Sequence, residues 1–324
     1  MHLVTIETAS GGQSGALIGD EVLNFAKAAD FAPAARALPA DMVALLEGGE
    51  ESLEAARRVI GEAGAVDGPA KDGLREQGAL TELDRTKLAA PIPRPSLLIS
   101  SGRNYRSHMV EMAAREGREP HFHDEPIARM VNPRGVIGHG TAIELPPKYP
   151  DMVDWECEFT VVFGRRCFDV AEGEVMDCIA GYTLYNDVSA RDWNASARDP
   201  ETGVQDWTFV HLGKNPPTFG PLGPSIATKD EIPDPDDTRI KTLVNGEVMQ
   251  DASTKDLCFT IARTISYFSQ WFEFHPGDLF ATGSPPGVGF GMEPPRFLRE
   301  GDVCELWGAG IGTLSNPVIR GEKR

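Results

Sequence analysis

Residues 152–164 read MVDWECEFTVVFG, an alternating run that passes into an apolar one. Strand side chains point alternately to two faces. Val153, Trp155, Cys157, Phe159 and Val161 therefore share one face, and Asp154, Glu156, Glu158 and Thr160 the other. Residues two apart on a strand stand about 7 Å apart, so three carboxylates project the same way. Such a row persists only if it is solvated, protonated or neutralised. An exposed alternating face is the plain reading. The apolar continuation FTVVFG instead predicts a strand that runs into a buried sheet, where its acids need a partner.

Other strand-like runs surround this one: SLLIS, AGYTLYND, IKTLVNGEVMQ, DLFATG and VCELWGAGIGTLSNPVI, separated by Gly and Pro turns. Beyond residue 96, helical periodicity is confined to RSHMVEMAARE, ended by Gly117, and to LCFTIARTISYFSQWF. Many short strands and few helices predict an α+β, β-rich fold, partly antiparallel or barrel-like. Residues 1–94 differ in texture: HLVTIE and GALIGDEVLNF read as a hairpin, and Asp41–Leu46 and Ser52–Ala63 as helices. The Pro-rich PIPRPS (91–96) reads as a domain edge. The expected organisation is a small N-terminal domain over 1–94 and a larger unit over 95–324.

The 324 residues carry 31 Lys and Arg against 49 Asp and Glu, a net charge of −18. Such a surface repels phosphate backbones and anionic lipid, so neither nucleic acid nor membrane is an expected partner. The five cysteines contain no C-x-x-C pair, which argues against zinc and a disulfide framework. Reduced thiols and a cytoplasmic location are the expectation. No apolar run approaches the ~18 residues of a membrane span.

Downstream, GYTLYNDVSARD places Asp187 beside Asn186 at the end of a strand-like run. The acids of the 154–158 run together with Asp187 can offer three hard oxygen donors to one site. That donor set matches Mg²⁺, with Mn²⁺ or Ca²⁺ as alternatives. A D-x-D-x-D-G loop is absent, as are G-x-S-x-G and H-E-x-x-H, which disfavours an EF-hand, a serine nucleophile and zinc hydrolysis.

In order along residues 97–319, NYRSHMVE, DWECEFTVVFG, GYTLYNDVSARD, LGKNPPTFGPLGP, VNGEVMQDASTKDLCFT, GDLFATGSPPGVG and GDVCELWGAGIGTLSNPV resemble signature blocks of the fumarylacetoacetate hydrolase superfamily. The resemblance implies a mixed β-sandwich roll as catalytic domain, homodimeric, with a small α/β domain before it. It implies Mg²⁺ held by Glu156, Glu158 and Asp187, with Asp154 as a nearby acid outside the ligand set.

His108 and Glu111 are three apart, hence on one helix face and able to touch. An exposed pair is the plainer reading of the spacing. The resemblance assigns them instead as an acid–base dyad in which the carboxylate fixes the imidazole tautomer. It also implies that Lys214 faces the metal and the substrate, and that Thr282 and Gly283 receive the substrate carboxylate. Gln250, Arg191 and Tyr105 are further expected substrate contacts. Relatives with the dyad carry a Lys-Pro step soon after it. Here Val131-Asn132-Pro133 stands in its place, with Arg129 or Arg134 as substitutes. His121 and His123 read as a surface loop or lid, and His139, His211 and His275 as isolated structural residues.

The activity implied is Mg²⁺-dependent hydrolysis of a carbon–carbon bond in a 2,4-dioxo acid through a stabilised enolate. The alternative is decarboxylation, isomerisation or hydration of a small 2-oxo acid such as oxaloacetate or a 2-oxo-4-enoate. A catalytically silent binding protein with the same fold is the rival from another class.

Overall fold

Alternation in the N-terminal segment builds β1 (His2–Thr8) and β2 (Gly11–Ile18), antiparallel, with Leu3 opposite Ala16 and Thr8 opposite Gly11. The computed structural model describes residues 1–9, 11–196, 201 and 211–322. β3 (Glu21–Asn24) continues the meander, α1 (Met42–Glu47), α2 (Gly49–Gly64) and α3 (Pro69–Glu76) follow, and β4 (Leu80–Glu82) closes it. Asp41 caps α1 by accepting from the Ala44 N–H at 2.9 Å. Leu45, Leu46, Ala56 and Val59 lie in one buried cluster with Leu3, Leu23 and Val162.

Beyond the Pro-rich stretch come β5 (Leu98–Gly102), α4 (Arg106–Arg115), β6 (Ile127–Met130), β7 (Val136–Ile137), β8 (Ile143–Leu145), β9 (Val153–Asp154) and β10 (Cys157–Phe163). Then follow α5 (Val175–Cys178), β11 (Ile179–Asn186), β12 (Ser189–Ala190), α6 (Arg191–Ser196) and β13 (Gly220–Thr228). The chain ends with β14 (Arg239–Val244), β15 (Glu247–Ser253), α7 (Ile261–Ser269), β16 (Leu279–Ala281), β17 (Val303–Gly308) and β18 (Gly312–Arg320). The large sheet runs β4-β3-β2-β1-β13-β11-β10-β16-β5-β6, with β7 on β13. A second sheet runs β15-β14-β17-β18-β8, and β9 pairs β12 in a small third one. The fold is α+β with mixed strand pairing. β1 pairs β13, so the strands of residues 1–94 extend the same sheet that carries β10.

The 152–164 run is two strands. β9 belongs to the small sheet and β10 to the large one, with Trp155 and Glu156 at the break between them. The chain turns there because Trp155 is fully buried and its indole N–H donates to the Gly287 carbonyl at 3.0 Å. A buried indole needs such a partner. β10 itself is buried along its whole length. Cys157, Phe159, Val161 and Phe163 enter one core cluster, in which Phe163 stacks on Phe274 with centroids 4.3 Å apart. Val162, on the opposite face, enters the cluster shared with the N-terminal segment. Its neighbour two residues back on that face is Thr160, and two further back Glu158.

Candidate active site

Strand pairing brings the acids together. β10 and β11 are antiparallel with Cys157 opposite Asn186 and Glu158 opposite Tyr185, which puts Asp187 opposite Glu156, one step past the end of the ladder. The Asn186 side chain accepts from the Glu156 N–H at 2.9 Å, and the Asp187 N–H donates to the Glu156 carbonyl at 2.9 Å. One carboxylate oxygen each from Glu156, Glu158 and Asp187 lies within 4.8 Å of the others, and all three residues are buried.

Three basic side chains meet this cluster. Lys214, from the turn His211–Lys214, places Nζ 2.6 Å from Glu156 Oε2 and 2.6 Å from Asp187 Oδ2. Arg191, at the start of α6, donates from Nη2 to Glu156 Oε1 at 2.5 Å and from Nε to Asp154 Oδ2 at 2.9 Å. Arg129 on β6 pairs with Asp187 Oδ1. Burial opposes ionisation of Glu156, but Lys214 and Arg191 hold it below its ordinary value. Burial likewise opposes ionisation of Asp187, and Arg129 and Lys214 bring it down to about 2.

Glu158 is different. It accepts from Ser100 Oγ at 3.0 and 3.2 Å and from the Gly283 N–H at 3.2 Å, all neutral donors. Burial, reinforced by Asp187 and Glu156, pushes its carboxyl well above the ordinary carboxylate range. With Glu158 protonated, Asp154, Glu156 and Asp187 balance Arg129, Arg191 and Lys214. A dication that ionised Glu158 would leave this cluster one positive charge in excess, which suits an anionic ligand. The oxygen-only donor set and the under-neutralised Glu158 carboxyl fit a hard divalent ion.

Asp154 has another task. It accepts from the N–H groups of Gly289 (2.7 Å) and Phe290 (3.0 Å) and pairs with Arg191. Together with the Trp155–Gly287 bond it anchors the turn over 283–291. A Cβ on Gly287, where φ is +93°, would collide with the Met249 carbonyl, so the turn needs glycine there. The Gly287 N–H donates to Glu111 Oε1 at 2.9 Å, and Glu111 Oε2 meets His108 Nδ1 at 2.9 Å. The dyad on α4 is thus tied to the acid-bearing segment through the glycine turn.

A cavity of about 520 Å³ joins these groups. Of the residues expected from sequence, His108, Glu156, Glu158, Asp187, Arg191 and Lys214 line it; Glu111 stands behind His108. The other expected contacts serve the frame. Thr282 Oγ1 donates to the Phe159 carbonyl at 2.9 Å, and the Gly283 N–H is spent on Glu158. The Gln250 amide is occupied by Cys157, Thr242, Ser284 and Pro285. Tyr105 is wholly buried at the start of α4. Of the two candidate arginines, Arg129 lines the cavity and Arg134 does not.

Arg103, His123 and His211 also line it; the sequence reading weighed His123 as surface loop or lid and His211 as structural, and did not single out Arg103. His123 sits in a polar stretch that reads as surface, and His211 stands alone without a motif. For Arg103 the available signal was its place directly before the Asn104-Tyr105 step. The Asn104 side chain donates to the Thr282 carbonyl at 3.0 Å, fixing that turn beside the site.

The fumarylacetoacetate (FAA) hydrolase C-terminal family profile matches residues 98–319. The chain is 36% identical over 283 residues to the mitochondrial oxaloacetate tautomerase Fahd2a of Rattus norvegicus, spanning 87% of this chain and 81% of that protein. It is 35% identical over 237 residues to the oxaloacetate tautomerase YisK of Bacillus subtilis (strain 168), covering 73% of this chain and 74% of the relative. Among solved structures, 5-carboxymethyl-2-hydroxymuconate delta-isomerase from Mycobacterium smegmatis superposes with a TM-score of 0.69 at 28% identity, over 99% of this chain and all of that one. A buried acid cluster, a buttressed His–Glu pair and a family match over two thirds of the length agree: this chain belongs to the fumarylacetoacetate hydrolase family.

Proposed function

We propose that the protein is a divalent-cation-dependent keto–enol isomerase of a small 2-oxo acid of the oxaloacetate type. The observation that carries the reading is that His108, held by Glu111, opens on the same cavity as the Glu156–Glu158–Asp187 cluster and Lys214. Isomerisation needs one proton moved from the carbon beside the keto group to the keto oxygen, with no net gain or loss of atoms.

His108 is placed to take that proton. Glu111 accepts at Nδ1 and so leaves Nε2 as the atom that faces substrate. As the carbon–hydrogen bond breaks, its electron pair moves toward the keto oxygen, and the ammonium of Lys214 stabilises the charge that develops there. His108 then returns that proton to the oxygen, which completes the enol, and the reverse sequence returns the ketone. Glu156, Glu158 and Asp187 would hold the divalent ion, which would add Lewis-acid polarisation of the keto group to the charge of Lys214.

Hydrolysis of a 2,4-dioxo acid, the leading expectation from sequence, would use the same residues and an added water. The similarity to oxaloacetate tautomerases and to a delta-isomerase favours the isomerase instead. The test is to follow enol loss from oxaloacetate by ultraviolet absorbance while pyruvate is assayed in parallel, with Mg²⁺ and with EDTA. Accelerated enol–keto exchange that needs Mg²⁺ and releases no pyruvate supports the proposal. Stoichiometric pyruvate indicates decarboxylation, and exchange at the uncatalysed rate overturns it.

A further inference from the structure

The cavity has two differently charged ends. Its inner end holds the acid cluster with Lys214 and Arg129, whose side chains are only 12% and 11% exposed. Its mouth is lined by Arg103, at the turn after β5, and by His123, from the irregular stretch that follows α4. Arg103 Nη1 and the His123 ring stand 3.5 Å apart. The paired strands β5 and β6 lead along the lining from Arg129, opposite Ser100, past Ala128 and Ile127, opposite Ser101 and Gly102, to the turn that carries Arg103. Arg103 has φ of +51°, a left-handed conformation that Gly or Asn adopts at lower cost.

We infer that Arg103 and His123 form a distal anion subsite that receives a second carboxylate, so that the protein selects 2-oxo dioic acids over 2-oxo monoacids. This rests on the proposed function, whose oxaloacetate-type substrate carries two carboxylates, and names the residues that read the second one. The chemistry is that of a charge-assisted fork: a guanidinium and an imidazole N–H, converging from two segments, meet a planar carboxylate. One carboxylate goes to the cationic inner end, the short carbon chain lies along Ile127 and Ala128, and the second carboxylate reaches the mouth. A cavity of about 520 Å³ accommodates acids longer than a four-carbon one.

The test uses the full-length protein saturated with Mg²⁺ and compares two acids of equal chain length, 2-oxopentanedioate and 2-oxopentanoate, by titration calorimetry. Wild type is expected to bind the dioate at least about tenfold more tightly, the loss typical of one charge-assisted hydrogen bond. Arg103→Gln and His123→Gln should each shrink that ratio, and the double variant should bring it near one. Arg118→Gln changes an exposed cation outside the cavity, paired with Glu116, and should leave the ratio as in wild type. The subsite is overturned if wild type binds both acids equally or neither, if the double variant keeps the ratio, or if Arg118→Gln lowers it as much. Binding preference without enol–keto acceleration would sink the isomerase and leave the subsite standing. Acceleration without preference would do the reverse.

Discussion

The Gly287 N–H donates to Glu111 at 2.9 Å, so the glycine turn and helix α4 share the carboxylate that orients His108. Trp155 and Asp154 grip that same turn from the segment leading into β10. The acid cluster and the His108–Glu111 pair are therefore parts of one frame.

Under the proposed function, that sharing gives Glu111 a positioning role with a kinetic signature. Glu111→Gln keeps the shape and an acceptor for Gly287 but removes the charge behind the imidazole. We expect kcat for enol–keto exchange to fall about a hundredfold with little change in KM. Steady-state kinetics with a melting curve as the folding control measures it. An unchanged kcat would place the proton transfer elsewhere.

Glu158 is surrounded by neutral donors, so Glu158→Gln is a near-isosteric change that relieves like-charge crowding. The metal-free variant should melt no lower than wild type. Wild type should gain about 2.7 kcal/mol of stability at a hundredfold excess of Mg²⁺ over its dissociation constant, and the variant should gain none. Thermal denaturation with and without Mg²⁺ separates the two. A full Mg²⁺ response in the variant would remove Glu158 from the ligand set.

The same carboxyl sets a pH dependence. Its folded value lies well above the ordinary range, so in the metal-free protein its contribution to stability is fully present below the unfolded value of about 4.3. It is lost as pH rises toward the folded value. Cation binding needs the ionised form and must release this proton, whereas Asp187, held near 2, is already ionised. The Mg²⁺-induced rise in Tm should therefore grow as pH rises above the unfolded value toward the raised folded one. A flat or falling response would contradict the protonated resting state.

Lys214 lies between Glu156 and Asp187 at 2.6 Å from each, 12% exposed. Lys214→Met leaves the two carboxylates facing each other. Removing one partner of a buried ion pair costs about 3–5 kcal/mol, and Arg129 and Arg191 offset part of it here. The metal-free variant should melt well below wild type, and saturating Mg²⁺ should recover much of the gap without recovering exchange activity. Full activity in the Mg²⁺-loaded variant would remove Lys214 from the reaction.

Local periodicity carried the strands, the two main helices, the facing of His108 and Glu111, and the crowding of acids around residues 154–158. These are relations over one to four residues, set by backbone geometry alone. Alternation failed at Trp155, because an indole that must be buried and hydrogen-bonded to Gly287 breaks the run into strands of two different sheets. The destinations of Arg103, Arg129 and His123, and the engagement of Thr282 and Gln250 within the frame, depend on pairings across scores of residues, such as β16 on β5 and β5 on β6. So the sequence by itself determined which donor types are present and at what spacing. Only the tertiary structure decided which bases face which acids, since burial and long-range strand register bring those charges within contact.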